Sequence, residues 1–144
     1  MSEENVSEAV AAETGAGTHL ATSASARGDA TTTLEALKTE VVAFADARAW
    51  GAFHTPGELV KALSVEAGEL LQLFLWVTGE AGGREAPSRE RVEEEVADVA
   101  MCLLNLCHRS GLDLSEAVRK KLIKTGEKYP VTRAHGRAGK YDEL

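Results

Sequence analysis

Residues 64–76 read SVEAGELLQLFLW and residues 93–106 read EEEVADVAMCLLNL, two stretches with the same spacing of acidic residues. Each stretch carries two carboxylates three positions apart, Glu66 with Glu69 and Glu95 with Asp98. This spacing puts both members of a pair on one face of a helix. The apolar residues around them predict two helices that each bury one side.

Start and stop signals along the chain predict four helices, at about 33–48, 56–78, 88–110 and 113–125. The expected N-caps are Thr32, Thr55, Ser88 and Asp113. No segment alternates apolar and polar residues over the length of a strand, so we expect no β structure. Four helices with short connections predict an all-α fold, an antiparallel four-helix bundle.

The chain of 144 residues has the length of one small domain. Residues 1–30 are rich in Ala, Ser, Gly and Thr, and we expect a disordered leader there because they bury too little apolar surface to offset chain entropy. The domain then spans 31–144, with 131–144 as a C-terminal tail. Cys102 and Cys107 lie five positions apart on one predicted helix, which favours reduced thiols in the cytoplasm over a disulfide.

The formal net charge of −7 is unevenly distributed along the chain. Residues 117–144 carry eight Lys and Arg against three Asp and Glu, whereas the preceding segments are acidic. An acidic protein is a poor candidate for nucleic-acid binding, which needs a basic surface. No apolar run is long enough for a membrane span, and the first residues do not resemble a secretory signal.

The paired carboxylates suggest a metal site. Carboxylates on an apolar helix face are costly to bury unless a cation or another partner neutralises them. Glu66, Glu69, Glu95 and Asp98 together supply oxygen ligands suited to Mg²⁺, with Mn²⁺ as a substitute. A solvated acidic surface is the alternative. A di-iron site is disfavoured because neither pair has the Glu-x-x-His pattern that such bundles use.

Two polar or aromatic residues extend these helix faces. Trp76 follows Glu69 by seven residues, about 10 Å along a helix, so its ring can stack on a nucleotide base while the carboxylates face the phosphates. Ordinary core packing is the alternative for Trp76. Asn105 continues the face of Glu95 and Asp98, where it either hydrogen-bonds within the site or satisfies a neighbouring group.

Several motifs together resemble the MazG-like superfamily of all-α nucleoside triphosphate pyrophosphohydrolases, and within it the dCTP pyrophosphatase branch. They are W-x-x-FHTP at 50–56, SVEAGELLQLFLW at 64–76, EEEVADV at 93–99, KYPV at 128–131 and KYDEL at 140–144. The resemblance implies an antiparallel four-helix bundle that forms a homodimer or homotetramer. It also implies Mg²⁺ held by Glu66, Glu69, Glu95 and Asp98, and hydrolysis of a nucleoside triphosphate to a monophosphate and pyrophosphate.

The resemblance extends to substrate contacts. Trp50, His54 and Trp76 match positions around the base and sugar. In the segment resembling K-x-x-x-N-x-x-R/K-Y-P, Lys121 is kept, but Thr125 stands where the pattern has Asn, and it lacks the paired donor and acceptor of an amide. The remaining expected contacts lie near the C-terminus, with the tail folding back over the site: Lys128, Tyr129, Lys140 and Tyr141.

We therefore predict an Mg²⁺-dependent enzyme of the nucleotide pool that acts on dCTP or a modified pyrimidine deoxynucleotide. Water attacks at the α–β phosphoanhydride, with Glu66 orienting or deprotonating it and Lys121 neutralising the pyrophosphate that leaves. Two alternatives stay open from the sequence. One is a non-catalytic helical interaction module, and the other is an enzyme like phosphoribosyl-ATP pyrophosphohydrolase.

Overall fold

The computed structural model describes residues 28–79 and 83–142, and all regular secondary structure in these ranges is helical. The helices are α1 (Leu34–Asp46), α2 (Pro56–Phe74), α3 (Arg89–Arg109), α4 (Leu114–Lys128) and a short α5 (Val131–Ala134). One 3₁₀ turn, Trp50–Ala52, separates α1 from α2. The predicted all-α class is confirmed. In the described ranges, no helix has the length and apolar character needed to cross a membrane.

The four long helices begin where short polar side chains cap them. The Thr55 hydroxyl accepts from the Glu58 N–H, with Pro56 at the first helical position, and Ser88 and Asp113 cap α3 and α4 in the same way. Helix α1 is capped by Thr33, one residue after the expected Thr32. These local hydrogen bonds satisfy backbone donors that a helix start leaves unpaired.

Helix α3 is the centre of the packing, with α1 and α2 both against it. The buried apolar side chains come from these three helices: Val41, Val42, Ala45, Leu59, Leu73, Leu104 and Cys107. Helix α4 buries none of its residues. Its apolar residues Leu122 and Ile123 are 64% and 66% exposed. The single chain therefore has a small core and a fourth helix with an uncovered apolar side.

Two expected helix ends, those of α2 and α4, are wrong. Helix α2 ends at Phe74, four residues before the predicted end, because Leu75 is extended and Trp76 has a φ of +65°. Helix α4 continues to Lys128, three residues beyond its predicted end. Residues 131–134, expected to belong to the tail, form the short α5.

The described residues divide after Thr32 into a short N-terminal part and a unit that begins at Thr33. In the N-terminal part, the N–H groups of Thr31 and Thr32 donate to the Gly28 carbonyl at 2.9 and 3.0 Å. The predicted disordered leader lies outside the described residues, apart from 28–30. The last two residues of the KYDEL motif, 143 and 144, also lie outside them.

Candidate active site

An acidic cluster forms where α2 packs against α3. The spacing of three residues puts Glu66 and Glu69 on the same face of α2, and that face meets Glu95 of α3. One carboxylate oxygen from each of Glu66, Glu69 and Glu95 lies within 4.8 Å of the other two. Glu66 and Glu95 are half-buried, and Glu69 is exposed. Oxygens this close together, with partial burial, are compatible with a shared divalent cation.

In the part of the chain that the structure describes, the charges that act on Glu66 are all negative. Burial raises the pKa of the Glu66 carboxyl above its ordinary value, and the negative charges of Glu69, Asp98 and Glu95 raise it further. Apart from burial, every group that raises the pKa of Glu66 is itself a carboxylate. A cation at this point would relieve the repulsion among them.

Asp98 lies one turn after Glu95 on α3 and is not among the three clustered oxygens. It is exposed and lines a neighbouring pocket, and its charge still acts on Glu66. The structure thus brings three of the four predicted carboxylates to one point. The fourth lies beside the pocket.

The pocket has a volume of about 380 Å³ and is formed by α1, the 3₁₀ turn, α2 and α3. Most of its lining is apolar, including Val41, Phe44, Leu59 and Met101. Cys102 also lines it, and burial raises the pKa of this thiol, with Glu66 and Asp98 adding to the shift. An apolar pocket with few polar groups suits the base of a nucleotide.

Trp50, His54 and Asn105, all predicted site residues, line this pocket together. The Trp50 and His54 ring centroids are 5.7 Å apart, and Trp50 also meets the edge of Phe44 at 5.9 Å. Asn105 is only 5% exposed, and its Nδ2 donates to His54 Nδ1 over 3.0 Å. A side-chain hydrogen bond therefore joins α3 to the segment that precedes α2.

Trp76 does not lie on the helix face predicted for it. Because α2 ends at Phe74, the chain has turned by Trp76, whose side chain is 75% exposed and does not line the pocket of its own chain. Its φ of +65° is a left-handed conformation that residues with a Cβ adopt at a cost. Trp76 therefore lies neither on the Glu69 face of α2 nor in the core of the chain.

The predicted phosphate-side residues lie on α4 and after it. Lys121 is exposed and Thr125 is half-buried on α4. The tail packs back on the end of this helix, where the Tyr129 and Tyr141 rings are 6.1 Å apart and Lys128 Nζ lies 4.9 Å from the Tyr141 centroid. Lys140, next to Tyr141, belongs to the same tail. None of these residues lines the described pocket of the same chain.

Sequence reasoning missed some residues of this region. Glu58 and Met101 line the pocket, and Arg109 makes an ion pair with Asp46 beside the 3₁₀ turn. In the sequence, Glu58 indicated only the start of α2, as its third residue. Met101 was only one of the apolar residues of α3. Asp46 and Arg109 are 63 positions apart, so no local sequence pattern indicates their contact.

Comparison with known proteins places this geometry in a family. The family model described as "MazG-like family" matches residues 61–144, which include the acidic cluster and α4. The chain belongs to the MazG-like family. It is a nucleoside triphosphate pyrophosphohydrolase, and the resemblance to the dCTP pyrophosphatase branch is confirmed.

The relatives of this MazG-like enzyme include mammalian proteins named dCTP pyrophosphatase 1. The mouse protein is 39% identical over 115 residues, covering 78% of this chain and 68% of its own length. The bovine protein is 38% identical over 133 residues, covering 83% of this chain and 79% of its own length. The human protein is 40% identical over 115 residues, covering 78% of this chain and 68% of its own length.

A solved structure agrees with the fold of the MazG-like enzyme. A pyrophosphatase from Archaeoglobus fulgidus is 34% identical and superposes with a TM-score of 0.56, covering 67% of this chain and 92% of its own. These relationships favour an enzyme over the non-catalytic interaction module that the sequence left open.

Proposed function

We propose that this MazG-like enzyme hydrolyses dCTP, or a modified pyrimidine deoxynucleoside triphosphate, to the monophosphate and pyrophosphate with Mg²⁺. The observation that carries the proposal is the acidic cluster of Glu66, Glu69 and Glu95 on the same two helices that line the base-sized pocket. The mammalian relatives named for dCTP support the choice of nucleotide. Such an activity would serve to clear unwanted nucleotides from the cytoplasmic pool.

The donor set fits a hard divalent cation. Carboxylate oxygens are the ligands that Mg²⁺ prefers, and Mn²⁺ accepts the same set. Glu66, Glu69 and Glu95 would hold the ion, with Asp98 contributing from the next turn of α3. Burial raises the pKa of Glu66, and the negative charges of Glu69, Asp98 and Glu95 raise it further; a cation would relieve that repulsion. When bound, the ion supplies positive charge to the phosphates and makes a coordinated water more acidic.

Glu66 is the residue we assign to the attacking water. Its carboxylate is half-buried at the point where α2 and α3 bring three carboxylates together, next to the proposed cation. It orients the water or takes its proton as the new P–O bond forms. The α–β phosphoanhydride then breaks and pyrophosphate leaves, with Lys121 neutralising its charge.

The remaining substrate contacts divide between the two ends of the nucleotide. Trp50 stacks near the base, and His54 and Asn105 supply polar contacts in the pocket. Trp76 adds an aromatic surface from outside α2. Helix α4 and the segment after it supply polar and cationic groups for the sugar and phosphates: Lys121, Thr125, Lys128, Tyr129, Lys140 and Tyr141.

We also propose that the enzyme is a homodimer or homotetramer and that α4 completes an antiparallel four-helix bundle in the assembly. Leu122 and Ile123 on α4, with Leu71 at 61% exposure on α2, are apolar surface that a second copy would cover. Leu122→Glu should reduce the mass measured by light scattering, whereas Lys120→Gln on the same helix should not. Equal masses for both variants would argue against this interface.

The metal assignment is tested by alanine substitution on α3. Glu95→Ala and Asp98→Ala should each abolish Mg²⁺-dependent pyrophosphate release while circular dichroism still reports the wild-type helix content. Glu94→Ala is the matched control, since Glu94 adjoins Glu95 but is exposed and outside the cluster. Normal turnover in either of the first two variants would contradict the proposed site.

A further inference from the structure

Asn105 is the one buried polar residue of the described chain, and part of its hydrogen-bonding capacity is unused. Its side chain is 5% exposed and lines the pocket. Nδ2 donates to His54 Nδ1, but Oδ1 is buried and has no hydrogen-bond partner among the described residues. Buried amide oxygens in folded proteins are nearly always paired, so an unpaired one calls for an explanation.

The amide nitrogen of Asn105 is the end of the side chain that faces His54 Nδ1. An amide has a donor end and an acceptor end, and a neutral imidazole accepts at only one ring nitrogen. With Nδ2 engaged by His54 Nδ1, the free end of Asn105 is the acceptor, Oδ1. The His54 ring also packs near Trp50, with 5.7 Å between the two ring centroids. The amide is thus held in one orientation by a residue of the same pocket.

Among the side chains that line the pocket, Asn105 alone has a buried acceptor without a partner in the described residues. Glu58 and Asp98 are also acceptors, but both are exposed and remain hydrated. Cys102 is a weak hydrogen-bonding group. A ligand that fills the pocket with an N–H donor would therefore gain most from pairing with Asn105, because that bond would satisfy an acceptor that has no partner among the described residues.

We propose that Asn105 determines base specificity by accepting a hydrogen bond from an exocyclic amino group of the base. This inference rests on the proposed function, since it assumes that the pocket holds the base of the substrate. Cytosine carries an amino group at C4, whereas uracil carries an oxygen there. An oxygen facing Oδ1 would set two acceptors against each other and leave both unpaired. The enzyme then selects cytosine-type over uracil-type nucleotides through this residue.

The test compares dCTP with dUTP, which differ at this edge of the base. We expect the wild-type enzyme to prefer dCTP in kcat/KM by about tenfold or more, because a site built around a substrate N–H rejects the analogue that lacks it. Asn105→Leu removes the acceptor at similar volume and should reduce the preference to within about threefold. Leu104→Met, a buried neighbour on α3 that does not line the pocket, should keep the wild-type ratio.

Binding without turnover separates this inference from the proposed reaction. Calorimetry with the α,β-methylene analogues of dCTP and dUTP in Mg²⁺ measures base preference even if no pyrophosphate is released. Tighter binding of the cytosine analogue by wild type, lost in a folded Asn105→Leu variant, supports the role of Asn105. An unchanged ratio in Asn105→Leu, or a wild-type preference for the uracil analogue, overturns it. Absence of pyrophosphate release with intact cytosine preference would contradict only the proposed reaction.

Discussion

Arg109 Nη2 donates a hydrogen bond to Asp46 Oδ1 at 2.8 Å, joining the last residue of α3 to the last residue of α1. The same guanidinium lies against the 3₁₀ turn, since a Cβ built on Gly51 would approach Nη2 to 3.2 Å. That turn carries Trp50 into the pocket, with His54 two residues after it. Arg109 is therefore a positioning residue for the base side of the site.

Replacement of Arg109 should weaken substrate binding more than it slows the reaction. Arg109→Met keeps the alkyl packing but removes the ion pair and the support under Gly51, so the KM for dCTP should rise several-fold with a smaller change in kcat. The loss of stability should be on the order of 0.5 kcal/mol, because Asp46 is 55% exposed. Steady-state kinetics and thermal denaturation measure both effects.

Arg89→Met is the control for Arg109→Met. Arg89 also pairs with a carboxylate, Glu93, but at the opposite end of α3 and with high exposure. It should leave KM unchanged. A decrease in kcat at constant KM in Arg109→Met would contradict the positioning role.

The acidic cluster should make the metal-free protein less stable as the pH rises. The pKa of Glu66 is raised in the folded state, so the folded protein favours the protonated carboxyl. This contribution to stability is fully present below the unfolded value of about 4.3 and is lost as the pH rises through the higher folded value. Glu66→Gln removes the effect. In EDTA, its Tm should match wild type near pH 4 and exceed it near pH 7.

The control for the pH experiment is Glu94→Gln, which removes an exposed carboxylate outside the cluster. The Tm of Glu94→Gln relative to wild type should not increase between pH 4 and pH 7. A Tm difference for Glu66→Gln that stays constant with pH would mean that repulsion at Glu66 does not affect folding.

The pH dependence of alkylation at Cys102 should depend on the negative charge of the acidic cluster. Burial raises the pKa of its thiol, and Glu66 and Asp98 raise it further, so alkylation by iodoacetamide should need a higher pH than for a free thiol. Glu66→Gln removes one negative charge and should lower the midpoint of the alkylation rate against pH, without reaching the free-thiol value because burial remains. Peptide mass spectrometry measures the rate at Cys102 alone.

Glu58→Gln is the matched variant for the thiol experiment. Glu58 lines the same pocket but is not among the charges that act on Cys102. The alkylation midpoint should therefore stay at its wild-type value. Equal downward shifts for Glu58→Gln and Glu66→Gln would show that the thiol responds to general charge and not to the cluster.

Trp76 should be dispensable for folding despite its size. Its side chain is 75% exposed, and its φ of +65° costs about 1–2 kcal/mol that glycine does not incur. Trp76→Gly should therefore keep the wild-type Tm within a few degrees. Leu73→Ala, which empties a buried position three residues earlier, should lose about 2–5 kcal/mol. Comparable destabilisation by both would mean that Trp76 packs in the folded chain.

The sequence predicted those parts of the fold that depend on local interactions. Thr55, Ser88 and Asp113 cap helices as expected, since each cap bonds to a backbone group only three residues away. The end of α2 was mispredicted because the apolar pattern continues to Trp76 and Gly79 offered a later stop. A left-handed Trp is not encoded by any local propensity.

The site was predictable to the extent that spacing along a helix brings residues together. The pairs at 66/69 and 95/98 indicated two acidic faces, and the packing of α2 on α3 joins three of these carboxylates. The ion pair of Asp46 with Arg109 and the bond of Asn105 to His54 join distant segments. No periodicity encodes such contacts, so they became visible only in the structure.

The most direct test of the proposed reaction is the identity of the products released from dCTP. With Mg²⁺ present, phosphorus NMR should show dCMP and pyrophosphate in equal amounts and no dCDP, and EDTA should stop the reaction. Release of dCDP with inorganic phosphate, or unchanged turnover in EDTA, would contradict a metal-dependent pyrophosphohydrolase at the cluster of Glu66, Glu69 and Glu95.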